Sequence, residues 1–226
     1  MMSTLLSFIG TILIFRWMRM LHVKFPVPLF LPIVTSTALI ILLLLMTGTA
    51  YHAYMEGGQL ISTLLGPAVV ALAVPLHEQW DRLKEHLLLL AGASLSGTLI
   101  GLFSGMYMAI WFGMNEEMVR SLLPKSVTAP IAMDIAALIN GIPPLSAVYV
   151  MAAGISGSVF GPLLLKKLNI QHPMAAGLGF GAASHGIGTA RALELGEQQG
   201  AVSSAAMTFS AIFASLLCPP IAALFL

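Results

Sequence analysis

The sequence predicts an all-α, polytopic membrane protein: a single membrane domain over residues 1–226, with about seven spanning helices plus one re-entrant segment. Three observations predict it. Hydrophobic residues make up 58% of the chain and charged residues 8%, whereas a soluble domain carries roughly 25% charged residues. Apolar stretches near the roughly 20 residues that cross a bilayer recur along the whole chain. Several of those stretches are broken by proline and glycine. The mean hydropathy is +0.94, and lipid leaves helices as the spanning element, because an open sheet edge has no partners there.

The elements follow in order. Residues 3–20 read as a first span. Arg16 and Arg19 follow its apolar run, the reverse of a cleaved signal peptide. Further spans fall at 28–49, 59–76, 87–112, 143–165, 174–193 and 200–225, and a shorter apolar piece lies at 127–140. Between them "RWMRMLHVKF", "YHAYMEGG", "HEQWDRLKEH", "NEEMVRSLLPKS" and "KKLNIQHP" read as loops.

Lysine and arginine in short loops set orientation. Arg16, Arg19, Lys24, Arg82, Lys84, Lys166 and Lys167 fall inside, and Arg120 and Lys125 outside, if 127–140 is re-entrant. That arrangement places seven basic residues inside against two outside. Eight full crossings would give five against four.

An internal repeat is suggested by "SGTLIG" (Ser96–Gly101) beside "SGSVFG" (Ser156–Gly161), and by "GPAVVALAVPL" from Gly66 beside "APIAMDIAALI" from Ala129. Repeated spanning segments mark transporters. The alternative is convergent packing, since small residues four apart let membrane helices approach. Gly97, Gly101 and Gly105 form such a ladder, and Gly157 with Gly161 a shorter one.

Three stretches combine helix breakers with the few intramembrane polar groups. Gly66-Pro67 and Pro75 interrupt the first. Pro124, Pro130, Pro143 and Pro144 interrupt the second, which holds Ser126, Thr128 and Asp134. The third, "GFGAASHGIGTARALELGEQQG", holds Ser184, His185, Gly186, Gly188, Thr189, Arg191 and Glu194. Proline removes a backbone donor. Freed groups at bilayer depth must be buried in protein or line a cavity, and half-helix N-termini there attract anions. A charge at bilayer centre costs about 2.5–3.5 kcal/mol on insertion scales. Each polar group also has a plain structural reading. Arg191 and Glu194 suit a helix end reaching the interface, His185 an interhelical hydrogen bond, and Asp134 a bond to a freed amide.

Other chemistry is excluded. A net charge of +1 leaves no nucleic-acid footprint. Cys218 is the single cysteine, so there is no internal disulfide or cysteine-rich metal site. "GLGFGAA" lacks the strand a dinucleotide fingerprint needs. "HEQWD" has Asp81 where a zinc helix needs its second histidine. His22, His52, His77, His86 and His172 lie in loops without a cluster. No hydrolytic triad, metal or cofactor is expected.

Three stretches together resemble the LrgB/CidB family of bacterial membrane proteins: "LLGPAVVALAVPLHEQ", "LPKSVTAPIAMDIA…GIPPLSAVYV…GISGSVFGP" and "GLGFGAASHGIGTARALELGEQQGAVSSAAM". The resemblance runs from about residue 27 onward. The family pattern more often has threonine where Ala129 stands and glutamate where Asp134 stands. It implies a bacterial inner-membrane protein with one of two functions. One is transport of small carboxylates such as pyruvate, glycolate and glycerate. The other is modulation of murein hydrolases and autolysis, in a holin- or antiholin-like role. It also implies a small LrgA/CidA-type membrane partner.

Under transport, Arg191 and the amides of Ser184–Thr189, including Gly186 and Gly188, form the anion site. Ser126, Thr128 and the helix starting near Pro130 approach from the other side. Asp134, His185 or Glu194 carries a coupled proton, since histidine titrates near physiological pH. Under modulation, the glycine ladders serve packing in an oligomer, expected as a homodimer.

Overall fold

The computed structural model describes residues 2–25, 30, 32–64, 67, 70, 71 and 73–226. Most of those residues are helical, with no strand among them. They form two compact units, residues 1–71 and 72–226. Four helices are long and apolar enough to cross a membrane, over Thr4–Lys24, Lys84–Trp111, Pro143–Lys167 and Glu197–Phe225. The chain is therefore an all-α polytopic membrane protein.

In the first unit, helix α1 (Met2–Lys24) packs against α2 (Pro32–Thr47) and α3 (Tyr51–Ser62). "YHAYMEGG" is not a loop but the first two turns of α3. Gly57 seats α3 on α1, because a Cβ there would overlap the Thr4 carbonyl and approach Ser7 Cβ to 2.8 Å. Thr11 Oγ1 and the Tyr54 hydroxyl share a hydrogen bond of 2.9 Å across the same contact. The span expected over 59–76 is not one helix: α3 ends at Ser62 with Thr63 as its cap. Gly66, half of the expected Gly66-Pro67 break, lies outside the described residues.

The second unit begins with α4 (Ala73–Glu78), which packs on the last helix, and α5 (Trp80–Leu83). A single 3-10 turn at Lys84–His86 leads into α6 (Leu87–Trp111). Then come α7 (Glu116–Leu122), α8 (Ala129–Leu138), α9 (Pro143–Lys167), α10 (Pro173–Leu195) and α11 (Glu197–Phe225). Prolines open α8, α9 and α10, where the missing N–H costs nothing. Pro130, Pro143 and Pro144 thus start helices rather than break them.

The stretch expected to be a re-entrant piece at 127–140 is a larger hairpin. "NEEMVRSLLPKS" supplies its inward arm, α7. Asn115 caps that arm by accepting from the Met118 amide at 2.9 Å. Its end is buried, with Val119, Ser121, Leu123 and Val127 each at most 2% exposed. The outward arm, α8, has ten residues, about 15 Å of helix against roughly 30 Å of hydrocarbon. The two ends of the hairpin are tied together. Arg120 Nη1 donates to the Ile139 carbonyl at 2.9 Å, and Ser121 Oγ accepts from the Ile142 amide at 2.7 Å. Asn140 takes φ 57°, turning the chain into α9.

Helix α10, expected to cross over 174–193, is a second hairpin. His185 sits at φ 42°, ψ −136° in its middle. Before that point the chain runs parallel to α11: Gly177 meets Gln199 and Val202, and Gly181 meets Ser203 and Ala206. After it the direction reverses: Thr189 meets Ser203, and Leu193 meets Gly200. The turn is tight enough to bring Gly188 against Phe180, where a Cβ would stand 2.6 Å from the carbonyl oxygen. The halves are α10a (173–184) and α10b (186–195).

The hairpins enter from opposite ends. Helix α6 is parallel to α11: Leu90 shares one core cluster with Ala201, Val202 and Ala205, and Met106 shares another with Cys218 and Ile221. Helix α9 is antiparallel to α10a: Gly157 faces Ser184 and Gly161 faces Phe180. So α6 and α9 run in opposite directions, and each leads into a hairpin. "SGTLIG" lies on α6 and "SGSVFG" on α9, an offset of 156 − 96 = 60 residues. The same offset carries Lys125 onto His185 (125 + 60 = 185). This is the topology of an inverted repeat.

This geometry predicts which side of the membrane each end faces. In a Cys218→Ala background, single cysteines at His172 and Glu197 are expected to react with an impermeant maleimide from the same side. Cysteines at Glu116 and Asn140 should both react from the other side. Opposite-side labelling of His172 and Glu197 would mean that α10 crosses the membrane.

Candidate functional site

The tips of the two hairpins share a cavity of about 770 Å³ near mid-length of α6 and α9. Glycines and alanines of α6, α9 and α10a form half of its lining residues. Its polar groups are Lys125, Ser126, Ser184, Tyr149, Ser104 and Ser156. A mostly apolar cavity with a few convergent polar groups is the usual form of a small-molecule site.

The first tip is "PKSVT". Lys125 Nζ donates to the Gly101 carbonyl at 2.6 Å. The glycine ladder on α6 makes room for this tip. A Cβ at Gly105 would overlap the Lys125 ammonium, a Cβ at Gly101 would touch Ser126 Oγ at 3.6 Å, and Gly97 faces Ala182 of α10a at 3.3 Å. The ladder thus receives both hairpins. Lys125, assigned by loop counting to the outer surface, lies instead at the tip beside the middle of α6.

The second tip is "SHG". Ser184 fits only because residue 157 is glycine, since a Cβ there would overlap its Oγ. His185 is 4% exposed, and its Nε2 lies 3.0 Å from the Val150 carbonyl. A carbonyl only accepts, so Nε2 carries the proton of that bond. The His185 carbonyl accepts from Thr189 Oγ1 at 2.8 Å, and Thr189 shares a further bond of 2.9 Å with Ser203 Oγ. A non-glycine residue at φ 42° is strained, and such strain persists only where surrounding structure holds it. Gly154 leaves the space for the imidazole, 2.8 Å from where its Cβ would stand.

The remaining predicted residues fall elsewhere. Thr128 flanks the start of α8, and Pro130 sits in its first turn. Pro130 and Asp134 are exposed on the outer face of α8, with Met133 between them. Gly186 and Gly188 open α10b. Arg191 is paired with Glu194 three residues on, their side chains 30% and 63% exposed. Arg191 Nε is buried without a partner. Of these residues, Ser126 and Ser184 line the cavity with Lys125, and His185 adjoins Ser184; Arg191, Thr128, Pro130, Asp134 and Glu194 do not line it. Sequence reasoning missed Lys125. Two signals marked it: a lysine between two prolines beside an apolar piece too short to cross, and the 60-residue offset that pairs it with His185.

Residues 11–224 match the LrgB-like family. This chain belongs to that family. It is 42% identical over 215 residues to the uncharacterized protein YxaC of Bacillus subtilis, covering 95% of this chain and 94% of that one. It is 30% identical over 223 residues to the holin-like protein CidB of Staphylococcus aureus, covering 99% and 97%. The holin-like protein CidB of Staphylococcus epidermidis is 31% identical over 224 residues, covering 99% and 98%. No solved structure matches. The match spans both hairpins, so the two tips and the cavity lie within the family region.

Two glycine substitutions test the packing of the second tip. Gly157→Ala is expected to destabilise the folded protein by about 1–3 kcal/mol, the usual cost of overpacking. Gly92→Ala, with nothing within 4 Å of its Cβ, should be neutral or slightly stabilising. Thermal unfolding in detergent compares the two, and equal melting would mean that Ser184 does not sit against α9.

Proposed function

We propose that this chain moves small monocarboxylates of the pyruvate and glycolate class across the bacterial inner membrane, with the solute held between the two hairpin tips. The observation that supports this reading is the cavity at mid-length of the spanning helices, bounded by hairpins arriving from opposite ends. Transporter sites form where discontinuous helices of inverted repeats meet near the midplane. Of the three candidate proton carriers, His185 is the one beside the cavity, and coupling falls to it in this reading. A small LrgA/CidA-type partner belongs to the proposal on family resemblance, and a homodimer belongs to it as an expectation.

The relatives' names favour a second reading. Two of them are called holin-like protein CidB, which favours the other role that the family resemblance implies, modulation of murein hydrolases and autolysis without a transport cycle. The comparisons weigh toward this reading and the geometry toward the first.

Uptake into vesicles holding the purified full chain separates them. Transport predicts pyruvate or glycolate uptake that saturates and depends on a pH gradient. The holin-like reading predicts no uptake from folded protein. It also predicts that deletion alters lysis while external carboxylate and membrane potential are held constant.

A further inference from the structure

We propose that Lys125 is the residue that holds the carboxylate group in this cavity, with Ser126 and Ser184 completing the site. This inference deepens the transport reading and rests on it.

Lys125 is brought to mid-length of α6 by a hairpin, not by chance proximity of a surface loop. Its ammonium has one hydrogen-bond partner, the Gly101 carbonyl. It forms none of the ion pairs found among the described residues. No acidic residue is among the described residues that line the cavity. An ammonium in a low-dielectric wall without a counter-charge is unfavourable. A small anion from solution supplies that counter-charge, and the low dielectric strengthens the attraction.

Donor count selects the kind of anion. An ammonium has three N–H donors, so two remain after the bond to Gly101. Ser126 and Ser184 both line the cavity, and neither hydroxyl has a hydrogen-bond partner among the described residues. One comes from each hairpin tip. Donors arriving from two sides suit a group with two oxygens, and a single cation suits a single negative charge. A monocarboxylate meets both conditions. Binding it ties the first tip to the second, so the solute itself bridges the two halves of the inverted repeat. Arg191 is already engaged by Glu194 and has no part in this site.

The room for the ammonium is built in. A Cβ at Gly105 would overlap the Lys125 Nζ atom and stand 3.1 Å from its Cε, so the ammonium would have to move from its present place. Gly105 therefore acts as a positioning residue for the cation.

The test is equilibrium binding of radiolabelled pyruvate to the purified full chain in detergent, beside pyruvate uptake in vesicles. Lys125→Met is expected to weaken binding by about tenfold or more, the loss of one charge-assisted hydrogen bond. Gly105→Ala should weaken it in the same direction with Lys125 still present. Lys166→Met, at the end of α9, should bind as the parent does. Reductive methylation of the unmodified protein needs no variant to fold: pyruvate should protect Lys125 and leave Lys84 reactive. Absence of protection, or equal binding by Lys125→Met, overturns the assignment. Uptake that is indifferent to Lys125 removes this residue and leaves transport standing. Lys125-dependent binding without any uptake keeps the site and removes transport.

Discussion

A backbone that stops being helical in the middle of a bilayer has to find its hydrogen bonds inside the protein. The second unit of this chain is arranged around that constraint, met twice. At the first hairpin, serine and arginine side chains satisfy groups where the chain leaves and rejoins the bundle. At the second, the Thr189 hydroxyl donates to the His185 carbonyl at the turn. Both solutions need the hairpins pressed against neighbouring helices, and glycines permit the approach. Gly105, Gly157 and Gly181 each stand where a methyl group would strike a hairpin or the helix behind it. The small-residue ladders serve this intramolecular packing.

The same constraint places the chemistry. A hairpin that ends at mid-depth carries its tip residues where a continuous helix could present only side chains from its flank. Two such tips, inserted from opposite ends, converge on one cavity. Lys125 and His185 occupy matching positions in the two hairpins, yet their settings differ. The lysine reaches the cavity wall, and the histidine is turned into α9 against Val150. An inverted repeat has in this way yielded one tip that offers charge and one that offers a hydroxyl and a held turn.

Much of this was legible in the sequence. Composition alone set the solvent, and the balance of lysine and arginine between the loops favoured a re-entrant piece at 127–140 over a crossing. The glycine-rich stretch around His185 reads as a break, because Ser184–Thr189 has the residues a broken helix needs. Two features were hidden. Polar "NEEMVR" reads as a loop, although its polar residues cap and brace a short helix whose other face is buried. Helix α10 has enough length to cross, and its reversal shows only in the φ of one residue. Those two errors moved the expected site. With α10 read as crossing, Arg191 lay in the membrane and drew the anion. With α7 read as a loop, Lys125 was counted among surface charges.

The hairpins also order the assembly of the protein. The arms α7, α8, α10a and α10b are each too short to span the hydrocarbon, and each ends in backbone that lipid cannot satisfy. None of them is stable there until α6, α9 and α11 stand ready to receive it. The long apolar helices can insert singly, while the hairpins must follow as secondary insertions into a bundle already formed. In this chain the tips that complete the cavity are the last to reach their places.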